Sequence, residues 1–253
     1  MKTLLDAVAE RTRAKPDALA FLTPTRSWSF AQIEEASNRA AQGLRALGIG
    51  EGARVACLTK HTAECVVLML AACKVGAVCM PVNWRLAPPE IDYILNHGQA
   101  RLMVADAAFL EALRAVRAPS LARTLCTERS TGEAQGFGDW ANAFDAVDSG
   151  RRPAMRDTAL QLYSSGTTGL PKGVELSHEN LSVFVRGPVS AAIGYNGAPD
   201  VMLNVLPTYH IAGVGIGLLT LARGGPSVLI PDFDPGQVVD AIGEHGITHA
   251  FLV

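Results

Sequence analysis

The amino-acid sequence predicts an α/β fold in which parallel sheets are covered by helices on both faces. Strand-like apolar segments alternate with helical segments along most of the 253 residues, and this alternation is typical of parallel sheets. Apolar residues make up 49% of the chain and aromatic residues only 6%, which suits a core rich in Ala and Val. The length allows one large or two modest domains.

Three strands and three helices are predicted in the first part of the chain. Ser29 and Gln32 form a capping box that opens a helix, and Gly48 ends it. The segment 62–74 is apolar on almost every side, which predicts a buried helix. A further helix starts at the prolines 88 and 89. The predicted strands cover residues 54–58, 77–82 and 102–105.

The second part of the chain predicts a second α/β stretch after a less regular segment. Residues 117–156 are rich in Gly, Ser, Arg and Asp, and we expect surface connections there with short elements, one of them near 139–144. A strand at 160–163, an extended segment at 174–176 and a helix capped by Ser177 follow. Further strands are predicted near 202–206, 227–230 and 249–253, and helices near 214–222 and 235–245.

Composition excludes several classes of protein. The net charge of −2, with acids and bases interleaved, does not indicate nucleic-acid binding. The N-terminal segment has no uninterrupted apolar region typical of a signal peptide. The longest apolar stretch, residues 65–82, is broken by Lys74 and Gly76 and does not predict a membrane span. We therefore expect a cytoplasmic protein; no motif indicates its oligomeric state.

The five cysteines are predicted to be core thiols. They form no C-x-x-C pair, none has a histidine at ligand spacing, and most lie inside apolar runs. The odd number also argues against a disulfide framework. The cysteines are Cys57, Cys65, Cys73, Cys79 and Cys126.

The run from residue 163 to 174 is the strongest functional signal. Its twelve residues include three glycines, five hydroxyl groups, one proline and one lysine. Glycines are costly to order, but they allow several backbone N–H groups to point at one anion. Lys172 adds a compact positive charge suited to phosphate. Side-chain donors come from Ser164, Ser165, Thr167 and Thr168. The run predicts a triphosphate-binding loop; the alternative is a tight turn with no ligand.

The spacing of this run differs from two common phosphate-binding motifs. Gly166 is followed by Gly169, and Lys172 by Gly173, so both the Walker A and the Rossmann patterns fail. The unbroken Ser-Gly-Thr-Thr-Gly-x-Pro-Lys-Gly resembles the signature of the adenylate-forming superfamily. That superfamily contains acyl-CoA synthetases, the adenylation domains of peptide synthetases, and luciferases.

Other segments resemble the acyl-CoA synthetase and fatty-acid–CoA ligase branch, namely residues 27–30, 70–83 and 206–210. The resemblance implies layered helix–sheet–helix subdomains and covers only the N-terminal portion of such proteins. We therefore expect residues 1–253 to be a partial AMP-binding domain, truncated at an apolar strand. Residues 50–176 would form a first α/β subdomain with the phosphate loop. Residues 1–49 and 177–253 would form an incomplete second one.

The resemblance implies a two-step ligase that uses ATP, Mg²⁺ and coenzyme A. A carboxylic acid, fatty or aryl, is first adenylated and then transferred to the thiol. Lys172 and Thr167 are the implied catalytic residues, and no metal ligand is assigned. The implied phosphate contacts are Ser164, Ser165, Gly166, Thr167, Thr168, Gly169 and Lys172.

Substrate contacts are implied at three further positions. His210 and Gly213 correspond to the acyl pocket, and the nearby glycines leave room for an apolar group; a capping or core histidine with closely packed glycines is the alternative. Arg85 would reach a phosphate of coenzyme A, although Trp84 replaces the family's proline, and a salt bridge at the helix entry is the alternative. His61 and His97 belong to no recognisable constellation.

Two other functions stay open at this point. The chain could be an adenylation domain that loads a carrier-protein thiol; Tyr209-His210 lacks the acid that would pair with an amino-acid substrate. It could also be a nucleotide-binding module without turnover. By itself this portion is expected to have little or no activity.

Overall fold

The computed structural model describes residues 2–130, 134–164 and 169–252 of the chain. The strands are β1 (Leu19–Leu22), β2 (Ser27–Ser29), β3 (Arg54–Leu58), β4 (Val78–Pro81), β5 (Ala100–Ala105), β6 (Arg123–Cys126), β7 (Gln135–Gly136), β8 (Thr158–Ser164), β9 (Lys172–Ser177), β10 (Met202–Asn204), β11 (Ser227–Leu229) and β12 (His249–Ala250). The helices are α1 (Leu4–Ala14), α2 (Phe30–Ala46), α3 (Ala63–Val75), α4 (Pro88–Gly98), α5 (Ala107–Leu113), α6 (Phe137–Ala141), α7 (His178–Arg186), α8 (Pro188–Ile193), α9 (Ile211–Arg223) and α10 (Pro235–His245).

The larger of two sheets has seven described strands in the order β7-β6-β5-β3-β4-β8-β9. Neighbouring strands are parallel, except that β8 and β9 form an antiparallel hairpin. The predicted α/β fold with parallel sheets is thus confirmed. Because the strands are parallel, the connections after β3, β4, β5 and β8 all emerge at one edge of this sheet.

The smaller sheet contains strands from both the N-terminal and the C-terminal parts of the chain. Its described strands follow the order β12-β10-β11-β1-β2. Strands β1, β10, β11 and β12 are mutually parallel, and β2 is antiparallel to β1. The division of the chain into subdomains at residues 50 and 176 stays a prediction.

Helices form three layers that alternate with the two sheets. The largest apolar core lies between the sheets and includes side chains of α1, α2, α3 and α9, together with Phe21 of one sheet and Val55 of the other. The opposite face of the larger sheet is covered by α4, with Ile91 and Ile94 buried. Val238 of α10 covers the outer face of the smaller sheet. Burying apolar surface on both faces of each sheet is the main stabilising contribution.

Helix starts follow local hydrogen-bonding signals. As predicted, the Gln32 N–H donates to Ser29 Oγ at 3.2 Å and the Ser29 N–H donates to Gln32 Oε1 at 2.9 Å. A second capping box, formed by Thr3 and Asp6, opens α1, a helix that sequence reasoning missed. The Arg11 guanidinium donates to the Ala222 carbonyl at 3.1 Å, which attaches α1 to the end of α9.

Residues 117–156 contribute more to the core than the sequence predicted. Strand β6 adds to the larger sheet beside β5, so part of this segment is sheet rather than surface connection. Phe137 and Trp140 are buried, and their rings pack 5.9 Å apart. The prediction of surface connections is wrong for these elements, because the aromatic side chains of Trp140 and Phe144 fill space against α2 beside Gly43.

The cysteine prediction is confirmed, since all five thiols are free and buried. Cys57 Sγ and Cys65 Sγ lie 3.1 Å apart between β3 and α3. No helix in the described part of the chain is long and apolar enough to cross a membrane.

Candidate functional site

The predicted phosphate loop connects the two strands of the β8–β9 hairpin. Ser164 at the end of β8 pairs with Lys172 at the start of β9, so the ladder holds both ends of the loop together. Gly169 has a φ of 98°, a conformation that residues with a side chain rarely adopt. The predicted phosphate contacts that lie outside the described residues are Ser165, Gly166, Thr167 and Thr168.

Lys172 is exposed at the first position of β9. Its ammonium group forms no ion pair with any residue in the described ranges. An exposed, unpaired ammonium at the end of a glycine-rich loop is available to bind an anion. The position of Lys172 therefore fits the predicted role.

Helix α4 supports the strand that enters the loop. Nδ1 of His97 lies 2.8 Å from the Tyr163 hydroxyl, which donates to the Ile94 carbonyl at 3.4 Å. Gln161 Nε2 donates to the same hydroxyl at 3.1 Å. Partial burial raises the pKa of Tyr163, so its hydroxyl stays protonated in the neutral range.

The same helix also reaches the other end of the loop. The Tyr93 hydroxyl donates to the Pro171 carbonyl at 3.3 Å, and the Tyr93 and His97 rings stack with centroids 5.5 Å apart. Tyr93 and His97 lie one turn apart on α4, so one helix face contacts the chain both before and after the loop. We call these two residues, with Tyr163, the hairpin clamp.

Gly173 is required by the close approach of the two hairpin strands. A Cβ at this position would overlap Gln161 Nε2 and would lie 3.3 Å from the Tyr163 ring. Gln161 is itself held by Arg54, whose Nε donates to Gln161 Oε1 at 3.0 Å. Arg54 also pairs with Glu175 of β9. These contacts fix the hairpin on the edge of the sheet.

A second group of residues lies at the ends of β3 and β5. Asp106, which follows β5, accepts the Lys60 N–H at 2.7 Å and the Thr127 hydroxyl at 2.7 Å. The Lys60 ammonium pairs with Asp232, which follows β11 of the smaller sheet. The carboxyl-terminal edges of the two sheets therefore face each other across this ion pair.

Trp84 lies at the centre of this edge, directly after β4. Its ring stacks on Phe109 at 5.9 Å and meets Tyr209 edge-on at 6.5 Å. The Arg85 guanidinium lies 4.9 Å from the Trp84 ring centre and the Lys60 ammonium 5.7 Å from it. Arg85 is exposed and forms no ion pair within the described residues, so the alternative of a salt bridge at the helix entry finds no support there.

His210 is the residue before α9, and its ring lies 4.6 Å from the Tyr209 ring. Its side chain is exposed and makes no capping hydrogen bond to the helix. The alternative of a capping or core histidine is therefore not what the geometry shows. Trp84 and Tyr209 bring His210 and Arg85 to the same region between the two sheets.

A family model described as AMP-binding enzyme matches residues 8–253. The chain belongs to this family. The match covers nearly the whole chain and confirms the resemblance inferred from the glycine-rich run. Within this family match, the chain carries an exposed lysine at the start of β9, the edge strand of the larger sheet.

The relatives of this chain are named for different acids and different thiol acceptors. The fatty acid–[acyl-carrier-protein] ligase ScoC of Streptomyces coeruleorubidus is 30% identical over 100% of this chain and 48% of its own length. 4-Coumarate–CoA ligase 3 of Oryza sativa subsp. japonica is 33% identical over 90% of this chain and 41% of its own length. The N-terminal domain of FACL13 from Mycobacterium tuberculosis superposes with a TM-score of 0.88 at 25% identity, covering 99% of this chain and 62% of that domain. The chain spans about half the length of these curated relatives.

The glycines of α9 do not all leave room for a ligand. A Cβ at Gly213 would overlap the Pro207 carbonyl and lie 2.6 Å from the Leu206 carbonyl. The expectation that Gly213 provides space is therefore wrong, because backbone fills it. At Gly217 an added Cβ would meet just one neighbour, Asn204 Nδ2, at 3.4 Å. The assignment of Gly213 to the acyl pocket itself stays a prediction.

Several residues of the candidate site were not predicted from the sequence. His97 and Tyr93 contact the loop from α4, and Asp106 joins two of the loops at the sheet edge. His61 is buried beside α9, with Nδ1 2.9 Å from the Leu206 carbonyl. These contacts link positions far apart in the sequence, so no local pattern could have indicated them.

Proposed function

We propose that the complete protein activates a carboxylic acid with ATP and transfers the acyl group to the thiol of coenzyme A. One observation carries the proposal: Lys172 is exposed and unpaired beside the glycine-rich loop of an AMP-binding enzyme. In the first step a carboxylate oxygen attacks the α-phosphorus, and the bond to pyrophosphate breaks. In the second step the thiol sulfur attacks the acyl carbonyl, and AMP leaves.

Negative charge develops on the departing pyrophosphate, and the hairpin offers donors where it develops. We assign phosphate contacts to Lys172, with Ser164, Gly169 and the intervening residues 165–168. Each charge-assisted hydrogen bond stabilises its acceptor by roughly 1.5–3 kcal/mol, and preorganised donors of this kind are the usual source of such catalysis. The hairpin clamp holds the chain at Tyr163, before the loop, and at Pro171, after it.

Magnesium enters this proposal as part of the MgATP substrate. Among the described residues no group of three or more His, Cys, Asp or Glu could hold a metal ion. The phosphate oxygens of ATP are hard donors suited to Mg²⁺. We therefore assign no protein ligand for the ion in this chain.

The acid is proposed to be a fatty or aryl acid, and the acceptor coenzyme A. His210 is exposed at the start of α9, and the pair Tyr209-His210 lacks an acid that could bind an amino-acid ammonium group. Arg85 presents an unpaired guanidinium on an aromatic platform, which suits a phosphate of coenzyme A. The 30% identity to a carrier-protein ligase supports a second candidate, transfer to a carrier-protein thiol.

Exchange of radioactive pyrophosphate into ATP tests the proposal directly. The complete protein encoded by the reading frame should be assayed with short, medium and long fatty acids, aryl acids and amino acids. Exchange with one class of apolar acid is expected. A folded protein that binds MgATP but shows no exchange with any acid would refute turnover and leave a nucleotide-binding module.

A further inference from the structure

Three of the five thiols lie together near the start of helix α3. The Sγ atoms of Cys57, on β3, and Cys65, on α3, are 3.1 Å apart. Cys79, on the neighbouring strand β4, also contacts Cys57. A buried cysteine packs as a small apolar residue, but two thiols in contact can also react with each other. The cluster is therefore a candidate site of thiol chemistry.

The Cys57–Cys65 pair is close to the geometry of a disulfide. The S–S bond of a disulfide is about 2.05 Å long, so the two Sγ atoms need to approach by about 1 Å. The two residues are eight positions apart and are joined by the irregular connection between β3 and α3. Rotation of the two side chains, with a small adjustment of this connection, provides a movement of that size.

The two thiols differ in the way that a nucleophile and a resolving thiol require. Cys65 lies in the first turn of α3, where the helix macrodipole stabilises a thiolate. The hydrogen bond from Cys57 lowers the pKa of Cys65. The same hydrogen bond, the contact with Cys79 and burial raise the pKa of Cys57. Cys65 is therefore the thiol that ionises first, and Cys57 keeps its proton for a second step.

A small cavity gives Cys65 space for an oxidant. The cavity adjoins Cys65 and Cys79 and has a volume of about 10 Å³, room for one water-sized molecule. Hydrogen peroxide is only slightly larger than water, and brief local opening admits small molecules to buried sites. Cys73 lies about two turns further along α3, outside this cavity, and burial raises its pKa to about 12.

We propose that Cys65 and Cys57 form a redox-modification site, at which a peroxide converts the two thiols into a disulfide. The Cys65 thiolate attacks one peroxide oxygen, the O–O bond breaks, and Cys65 becomes a sulfenic acid. The departing hydroxide takes the proton that Cys65 released and becomes water. The Cys57 sulfur then attacks Cys65 Sγ, the S–O bond breaks, and the Cys57 proton leaves with the hydroxyl group as a second water. In total the two sulfurs lose two electrons and two protons, and the peroxide is reduced to two waters.

The disulfide would restrain a connection that contacts the smaller sheet. Lys60 and His61 lie between the two cysteines. Lys60 pairs with Asp232, and His61 Nδ1 lies 2.9 Å from the Leu206 carbonyl. A cross-link closes a short ring that contains Lys60 and His61 and reduces its conformational freedom. The inference does not depend on the proposed ligase function, because this thiol chemistry needs neither ATP nor an acid.

Disulfide mapping by mass spectrometry tests the site. The complete reduced protein is treated with hydrogen peroxide, its free thiols are blocked with N-ethylmaleimide in denaturant, and it is digested with trypsin without reduction. Trypsin cuts after Lys60 and Lys74, so Cys57 lies on peptide 55–60 and Cys65 on peptide 61–74. We expect these two peptides to be cross-linked and to separate again with dithiothreitol. The rate should rise with pH, because the thiolate is the reacting form.

Three single substitutions assign the bond to its sulfur atoms. Cys65→Ser should reduce the cross-linking at least about tenfold, because the nucleophile is lost. Cys73→Ser is the matched control, since Cys73 is a buried thiol on the same tryptic peptide, and it should react within about twofold of the wild-type rate. Cys79→Ser should also keep the bond. If Cys65→Ser fails to fold, the cross-link in Cys73→Ser still identifies Cys65, the one thiol left on that peptide.

Other patterns of oxidation would overturn the inference. Peroxide that leaves all five thiols free, or that takes Cys65 only to sulfinic acid, would show that Cys57 does not resolve an oxidised Cys65. A disulfide from Cys79, or one between two protein molecules, would exclude the proposed pair. Loss of the cross-link in Cys73→Ser would assign the bond to a different thiol.

Discussion

The hydroxyl of Tyr163 lies 2.8 Å from Nδ1 of His97, and this contact joins the last turn of α4 to the strand that enters the phosphate loop. Tyr163 also accepts from Gln161, which Arg54 holds in turn. The loop thus rests on a hydrogen-bonded chain that reaches across three strands and one helix. The position of Tyr163, where the chain enters the loop, therefore depends on residues for which no phosphate contact is proposed.

Tyr163→Phe should weaken this support. The change leaves His97 and Gln161 without one partner each, and we expect a loss of about 1–2 kcal/mol in the free energy of unfolding. The KM for MgATP should rise several-fold because the loop is less well ordered. Urea unfolding and pyrophosphate exchange measure the two effects. Tyr209→Phe is the control, since that hydroxyl forms no hydrogen bond with a described residue; equal KM values in both variants would contradict the clamp.

Lys172→Ala should abolish most adenylation without unfolding the protein. Removing one positioned donor from developing charge commonly costs about a hundredfold or more in rate. Because Lys172 is exposed and unpaired, stability should change by less than about 0.5 kcal/mol. Lys15→Ala removes another exposed lysine, at the end of α1, and should leave exchange unchanged. Normal exchange in Lys172→Ala would remove the lysine from the site.

Arg85→Ala should raise the KM for coenzyme A about tenfold and leave pyrophosphate exchange intact. The substitution removes both the positive charge of the guanidinium and its cation–π contact with Trp84. Arg85→Lys keeps the charge and should show an intermediate KM. Arg101→Ala serves as the control, because Arg101 is exposed near the start of β5, at the opposite edge of the sheet. A KM that does not change in Arg85→Ala would exclude this residue from the coenzyme A site.

Two alanine substitutions on α9 should have opposite effects on stability. Gly213→Ala forces a methyl group into the Pro207 and Leu206 carbonyls, and we expect a loss of about 1–3 kcal/mol. Gly217→Ala meets just the Asn204 amide, and the better helix propensity should add up to about 1 kcal/mol. Urea unfolding of both variants measures the two changes in the free energy of unfolding, and changes of the same sign would contradict the prediction.

The free energy of unfolding should decrease as the pH is lowered, and part of this decrease should depend on His61. The unfolded chain binds a proton at His61 near its ordinary pKa of 6.5, but the folded protein does so only near a pKa of about 4. The neutral ring therefore contributes stability above pH 6.5, and this contribution is lost as pH falls toward 4, by about 3 kcal/mol in order of magnitude. His61→Leu should flatten that part of the unfolding profile relative to wild type.

Much of the fold could be predicted because its signals are local. The capping box at Ser29 and the fully apolar helix at 62–74 each follow from a few neighbouring residues. Helix α1 was missed because its cap uses Asp6 rather than the Glu or Gln that the usual pattern contains. The buried role of Trp140 was missed because its segment has weak periodicity and its partners lie on a distant helix.

The candidate site was predictable only where one run of sequence carries it. The glycine-rich loop and Lys172 are contiguous, so composition and spacing alone could suggest the phosphate site, which stays a prediction. The contact between His97 and Tyr163 joins residues 66 positions apart, and the contact between His61 and the Leu206 carbonyl joins residues 145 positions apart. Gly213 shows the limit of prediction from composition, because the space beside this glycine is occupied by the Pro207 carbonyl.

The predicted phosphate loop lies between two strands, and β9 follows where many nucleotide-binding proteins have a helix. A helix N-terminus would present roughly half a unit of positive charge from its macrodipole to a bound phosphate. No such field acts on the β8–β9 hairpin, and Lys172 is the one cation among its described residues, 158–164 and 169–177. Under the proposed function, Lys172 would therefore supply all the positive charge that this hairpin offers to a phosphate. Nucleotide affinity in this protein should accordingly depend on ionic strength chiefly through Lys172.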